Sequence, residues 1–127
     1  MRATKVLCID DEPTILNVVQ RILLLEPDNY HVETSLRVST VIPSFKSGAS
    51  YDAILCDILM PDMNGVDFYK FIIDNRPELY NKLIFMTGGV MIPGIDVFLS
   101  SINCPILEKP FHTEDLISIV KRVVERT

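Results

Sequence analysis

Five short apolar runs alternate with five stretches of helical apolar spacing, and this alternation limits the possible folds more than any other feature. The runs are Lys5–Ile9, Tyr30–Thr34, Ala53–Cys56, Lys82–Met86 and Pro105–Leu107. A strand that is continuously apolar is covered on both faces, which is the habit of parallel sheets. The helical stretches are Pro13 to about Glu26, Val38–Ser47, Val66 to about Asn75, a short one carrying Val97, Phe98, Leu99 and Ile102, and a last one running to about Arg126. Thr113 is expected to cap that last helix. Pro43 is expected in the first turns of its helix or kinking it, with Gly48 closing it.

Strand–helix alternation predicts an α/β fold: a five-stranded parallel sheet between two helical layers, a (βα)5 three-layer sandwich. Right-handed crossovers with both faces covered favour the flavodoxin-like strand order 2-1-3-4-5. The 127 residues read as a single domain, 1–127, with no repeat, linker or effector domain. No apolar run approaches the roughly 18 residues that span a membrane. The opening MRATKVLCIDDEP leads into acid rather than a cleavage site, so a cytoplasmic chain with no membrane partner is expected. A net charge of −5 and a pI near 4.9 argue against direct nucleic-acid binding. Cys8, Cys56 and Cys104 lack metal or disulfide spacing and read as small core residues.

In this order of strands, ligands bind at the carboxyl ends, beside the switch point between strands 1 and 3. Asp10 and Asp11 follow strand 1, Asp57 follows strand 3, Thr87 follows strand 4 and Lys109 follows strand 5. Singly, each has an ordinary reading: Asp10, Asp11 and Glu12 as favourable charges at a helix N-terminus, Asp57 and Thr87 as turn residues, Lys109 as a solvated lysine. Independent turns would not gather all five at one edge. Three carboxylates in one crevice repel, and an oxygen-rich site of that kind suits Mg²⁺. Asp10, Asp11 and Asp57 carry −3; Mg²⁺ brings this to −1 and Lys109 to zero, a site able to accept a dianionic phosphoryl group. Asp57 would be the nucleophile, Lys109 the cationic clamp and Thr87 a hydroxyl donor, the parts phosphoryl transfer needs.

The segments LCIDDEP, LCDILMPDMNG, FMTGG and ILEKPF, in this order, resemble the receiver domain of two-component response regulators over essentially the whole chain. The resemblance implies that Asp57 takes a phosphoryl group from a histidine kinase or histidine phosphotransfer protein and signals to an output partner. It further implies that Asp11, Asp57 and the Leu59 backbone carbonyl hold Mg²⁺, that Asp10 acts through water, and that Lys109–Pro110 is cis. It implies a signalling module without separate substrate turnover, monomeric or weakly dimeric. The FMTGG and EKPF pair is similar to receivers attached to hybrid histidine kinases.

Three positions depart from the family pattern. Ile106 replaces the usual Tyr or Phe three before the lysine, Leu59 is apolar where polar residues are frequent, and Gly88–Gly89 removes side chains beside Thr87. Without an aromatic to swing, the switch is expected in the loop and short helix over 88–102. Two alternatives remain at this point. A haloacid dehalogenase-type phosphatase would use Asp10-Asp11-Glu12-Pro13-Thr14 as its nucleophile motif, but Glu12 stands where its acid/base Asp belongs and Asp57 has no role. A flavodoxin-like FMN binder would need a Ser/Thr/Gly-rich first loop, and this one is acidic.

Overall fold

A computed structural model describes residues 2–88 and 92–126. Five strands, β1 (Thr4–Ile9), β2 (Tyr30–Ser35), β3 (Ala53–Asp57), β4 (Leu83–Thr87) and β5 (Ile106–Glu108), form one sheet in the order β2-β1-β3-β4-β5. All four pairings are parallel. The helices are α1 (Pro13–Leu24), α2 (Val38–Lys46), α3 (Gly65–Asn75), α4 (Ile95–Ser101) and α5 (Thr113–Glu125).

Successive strand side chains point to opposite faces, so each central strand feeds two cores. Val6 and Cys8 of β1 join Leu16, Val19 and Leu23 of α1 and Leu116, Val120 and Val123 of α5. Leu7 and Ile9 join Phe45 of α2 and Phe68 and Ile72 of α3. Fully burying side chains of this size stabilises the fold by about 1.5–3 kcal/mol each. The edge strands differ from the expected continuous pattern: β2 and β5 alternate buried and exposed residues, and in β2 apolar Tyr30 and Val32 alternate with polar His31 and Glu33.

Several boundaries also differ. Lys82 lies outside β4, because Pro77–Lys82 winds into a 3-10 helix, an element absent from the expected set. Asp57 and Thr87 are the last residues of their strands, and β5 begins at Ile106. Pro43 sits well inside α2, beyond its first turn, and the helix continues past it to Lys46. Thr113 is the first residue of α5, and His112 before it is the cap position, with no side-chain bond from either to the helix end. Gly48 closes α2 as expected: its φ is +102° and its N–H donates to the Phe45 carbonyl.

Candidate functional site

The parallel register fixes which side chains meet. Ile9 is paired with Cys56, so Asp10 and Asp57 leave the sheet side by side where β1 and β3 end. Thr87 is paired with Glu108, and the Lys109 N–H donates to the Thr87 carbonyl at 2.7 Å, placing the lysine against the end of β4. The Lys109–Pro110 peptide is cis.

The turn after β3 is held from three sides. The Ile58 N–H donates to the Met86 carbonyl, and the Gly65 N–H returns to the Ile58 carbonyl, both at 3.0 Å. Asn64 and Asp67 form a reciprocal cap on α3: each side chain accepts the other's backbone N–H, at 3.0 and 3.2 Å. A Cβ on Gly65 would lie 2.8 Å from Ile58 Cδ1 and 2.9 Å from Ile58 Cα, so only glycine allows α3 to start this close to Asp57.

Asp10 is fully buried and Asp57 is 5% exposed, so both carboxylates have left most of their water. Lys109 answers them. Its Nζ lies 2.7 Å from Asp10 Oδ2, 3.5 Å from Asp57 Oδ2 and 3.7 Å from Glu12 Oε1. Asp10 Oδ1 accepts the Glu12 N–H at 2.9 Å. Asp10 Oδ2 has no well-directed hydrogen bond besides that close ammonium contact.

Burial pushes Asp57 up to about 6, with the Asp10 charge adding to the rise and Lys109 opposing it. Burial also raises Asp10, against the close Lys109 ammonium. For Lys109 burial favours the neutral form, but Asp10, Asp57 and Glu12 together outweigh it and the ammonium is held more firmly.

The expected residues are therefore gathered at one edge, with two qualifications. The tightest carboxylate group among the described residues is Asp10, Asp11 and Glu12, whose ligand oxygens lie within 4.8 Å of one another; Asp57 is not part of it. By position Glu12 is a charge at the start of α1, yet its side chain makes no capping bond there and turns toward Lys109. Its place directly after two aspartates was the available signal. With Glu12 counted, the carboxylates carry −4, and Mg²⁺ and Lys109 leave the site at −1 rather than neutral.

Thr87 and Gly88 line a groove of about 480 Å³ with Leu59, Ile95, Leu99 and Ile106. Gly88 has no positive φ and a Cβ there would meet nothing within 4 Å, so this backbone does not require glycine at that position. Gly89 lies outside the described residues. Among the described residues no N–H donates to the Leu59 carbonyl, which leaves that oxygen available as a ligand.

The profile of the response regulator receiver domain matches residues 6–121. The chain belongs to the response regulator receiver family. The receiver protein CpdR of Brucella abortus is 28% identical, over 84% of this chain and 98% of the relative. The response regulator ORR24 of Oryza sativa subsp. indica is 26% identical over 96% of this chain, which spans only 19% of that longer protein. A receiver domain structure from Clostridium thermocellum superposes with a TM-score of 0.80 at 25% identity, covering 97% of this chain and 95% of that one.

This is thus a receiver domain, and the function of its family is to act as phosphoacceptor in two-component signalling. Receivers are signalling modules that interact with histidine kinases or phosphotransfer proteins and with output domains. They generally bind Mg²⁺ at an acidic pocket, and a pocket of that kind is present here. No described helix is long and apolar enough to cross a membrane.

Proposed function

We propose that Asp57 is the phosphoacceptor, Lys109 its cationic clamp and Thr87 the hydroxyl that senses the product. The observation that carries this reading is the position of Lys109, whose ammonium bridges the buried Asp10 and Asp57 carboxylates at the carboxyl edge of the sheet. A carboxylate Oδ of Asp57 attacks the phosphorus of a phosphohistidine. The new O–P bond forms as the P–N bond breaks, and its electron pair stays on the imidazole nitrogen, which takes up a proton. At neutral pH a group that titrates near 6 is mostly ionised and able to attack.

Asp11 and Asp57, with the Leu59 carbonyl, would hold Mg²⁺, and Asp10 would support it through water. The fit rests on two buried carboxylates, Asp10 and Asp57, that share one ammonium, and on the neighbouring Asp11. Bound there, the ion supplies positive charge against the incoming phosphoryl oxygens. The remaining work belongs to the chain. Asp57 presents its oxygen at the mouth of the crevice, Lys109 pairs with the phosphoryl charge, and the Thr87 hydroxyl donates to a phosphoryl oxygen.

The receiver would act in the cytoplasm as a monomer or weak homodimer, without turning over a separate substrate. It would show its state to an output partner through the segment 88–102. Intact mass after incubation with acetyl phosphate tests the central assignment. One added phosphoryl is expected, lost on chelation of Mg²⁺ and absent in Asp57→Asn. Labelling of Asp57→Asn at the wild-type rate would end the reading.

A further inference from the structure

Lys109 has three carboxylate neighbours, and only two of them belong to the chemistry assigned above. The third, Glu12, lies 3.7 Å from its ammonium, too long for a strong hydrogen bond. Glu12 is anchored as the cap residue of α1: its N–H donates to Asp10 Oδ1 and its carbonyl accepts from Ile15 at 3.0 Å. Its side chain makes no capping bond and is 64% exposed, so the carboxylate is free to follow a moving partner.

A divalent cation held by Asp11, Asp57 and the Leu59 carbonyl, with its water on Asp10, would claim the carboxylates the ammonium now offsets. Two cations cannot share those oxygens at short range, so Lys109 must withdraw. Asp57 is then claimed by the ion as well, and Glu12 is the one remaining carboxylate within reach.

We propose that Glu12 is a positioning residue for Lys109, receiving its ammonium when a hydrated divalent cation occupies the Asp10–Asp57 crevice and holding it beside Asp57 until a phosphoryl group arrives. This rests on the Mg²⁺ reading given above. A side chain alters an equilibrium only by interacting differently with its two states. The Glu12–Lys109 contact is long while Asp10 holds the lysine and shortens once Asp10 is taken. Glu12 therefore favours the metal-bound state, and does so through Lys109.

Mg²⁺ titration by calorimetry of the full chain, in wild type, Glu12→Gln, Lys109→Met and the double variant, tests this. Glu12→Gln should weaken Mg²⁺ binding about two- to fivefold, the range of an exposed ion pair. The same substitution should cost a smaller factor in the Lys109→Met background. An equal factor in both backgrounds, or none in wild type, overturns the proposal. Should Lys109→Met not fold, Glu12→Asp decides: it keeps the charge but draws it back by a methylene. Weakening like that of Glu12→Gln supports the contact, and wild-type affinity overturns it. Wild-type protein that binds no Mg²⁺ would overturn the metal reading and this inference with it, whereas binding without coupling overturns this inference alone.

Discussion

The Lys109 ammonium sits 2.7 Å from the Asp10 carboxylate, inside the crevice where a divalent cation would bind. A tethered monovalent cation thus offsets two buried carboxylates and would compete with a metal for them. Removing an opposite charge from such a site leaves carboxylates that demand another.

Lys109→Met should therefore bind Mg²⁺ more tightly than wild type while taking up phosphate on the order of 100-fold more slowly, the usual cost of removing a group that stabilises transition-state charge. Mg²⁺ titration and the rate of labelling by acetyl phosphate measure the two halves separately. Loss of metal affinity in step with phosphorylation would show that the lysine is not the clamp.

Asp57→Asn should stabilise the metal-free fold at neutral pH. The Asp57 carboxyl titrates near 6 when folded, against 3.8 for an ordinary aspartate, because burial disfavours its charge. Between those values the folded state binds more protons than the unfolded state, so stability falls as pH rises. The aspartate's contribution is fully present below 3.8 and is lost as pH passes about 6. Asparagine carries no charge at either pH, so its advantage should be about 1–3 kcal/mol at pH 7.5 and should vanish near pH 4. Urea unfolding in chelator at both pH values checks this; an equal gap at the two would contradict it.

Much of this site was legible because the chemistry is written at strand ends. Asp10, Asp57 and Thr87 each close an apolar run and Lys109 follows one after Glu108, and parallel order alone brings such residues to one edge. What was not legible depends on geometry between elements. The 3-10 helix Pro77–Lys82 carries one buried apolar residue, Leu79, and so has no periodic pattern to read. The Glu12 contact with Lys109 depends on a side chain turning away from the helix it precedes, which its place after two aspartates hints at but does not fix. By contrast, the alternation in β2 was legible in its own residues, where apolar Tyr30 and Val32 alternate with polar His31 and Glu33.

Gly65→Ala should impair both stability and phosphorylation. Its Cβ would press on the Ile58 Cα at 2.9 Å and on the Asp57 carbonyl at 3.2 Å, and backbone atoms in a packed turn cannot step aside. A loss of about 1–3 kcal/mol is expected, as for other overpacked sites, together with slower labelling because the Asp57 turn shifts. Gly48→Ala is the control. It is strained at φ +102°, but a Cβ there touches nothing and the residue lies at the far end of α2. It should lower the urea midpoint without changing the labelling rate, and equal labelling defects in the two variants would refute the assigned role of Gly65.

The response to phosphorylation should appear in α4 and its approach rather than in β5. Ile106 is β-branched and stiff at χ1, and it has no ring to swing into the groove beside Thr87. By contrast α4 has no buried residue and no side-chain cap, and it starts from Gly94 at φ +93°. Its main anchor is Phe98, edge-on to Tyr69 at 5.2 Å and to Phe85 at 6.1 Å. So lightly held a helix opens at low free energy. Drawing Thr87 toward a phosphoryl group pulls on Gly88 and thus on the segment leading to α4. Amide NMR with and without beryllofluoride should show large shifts at Gly88 and over 92–102, with Ile106–Glu108 little changed. The reverse pattern, or a response obtained only after Ile106→Tyr, would place the switch in the strand and refute this reading.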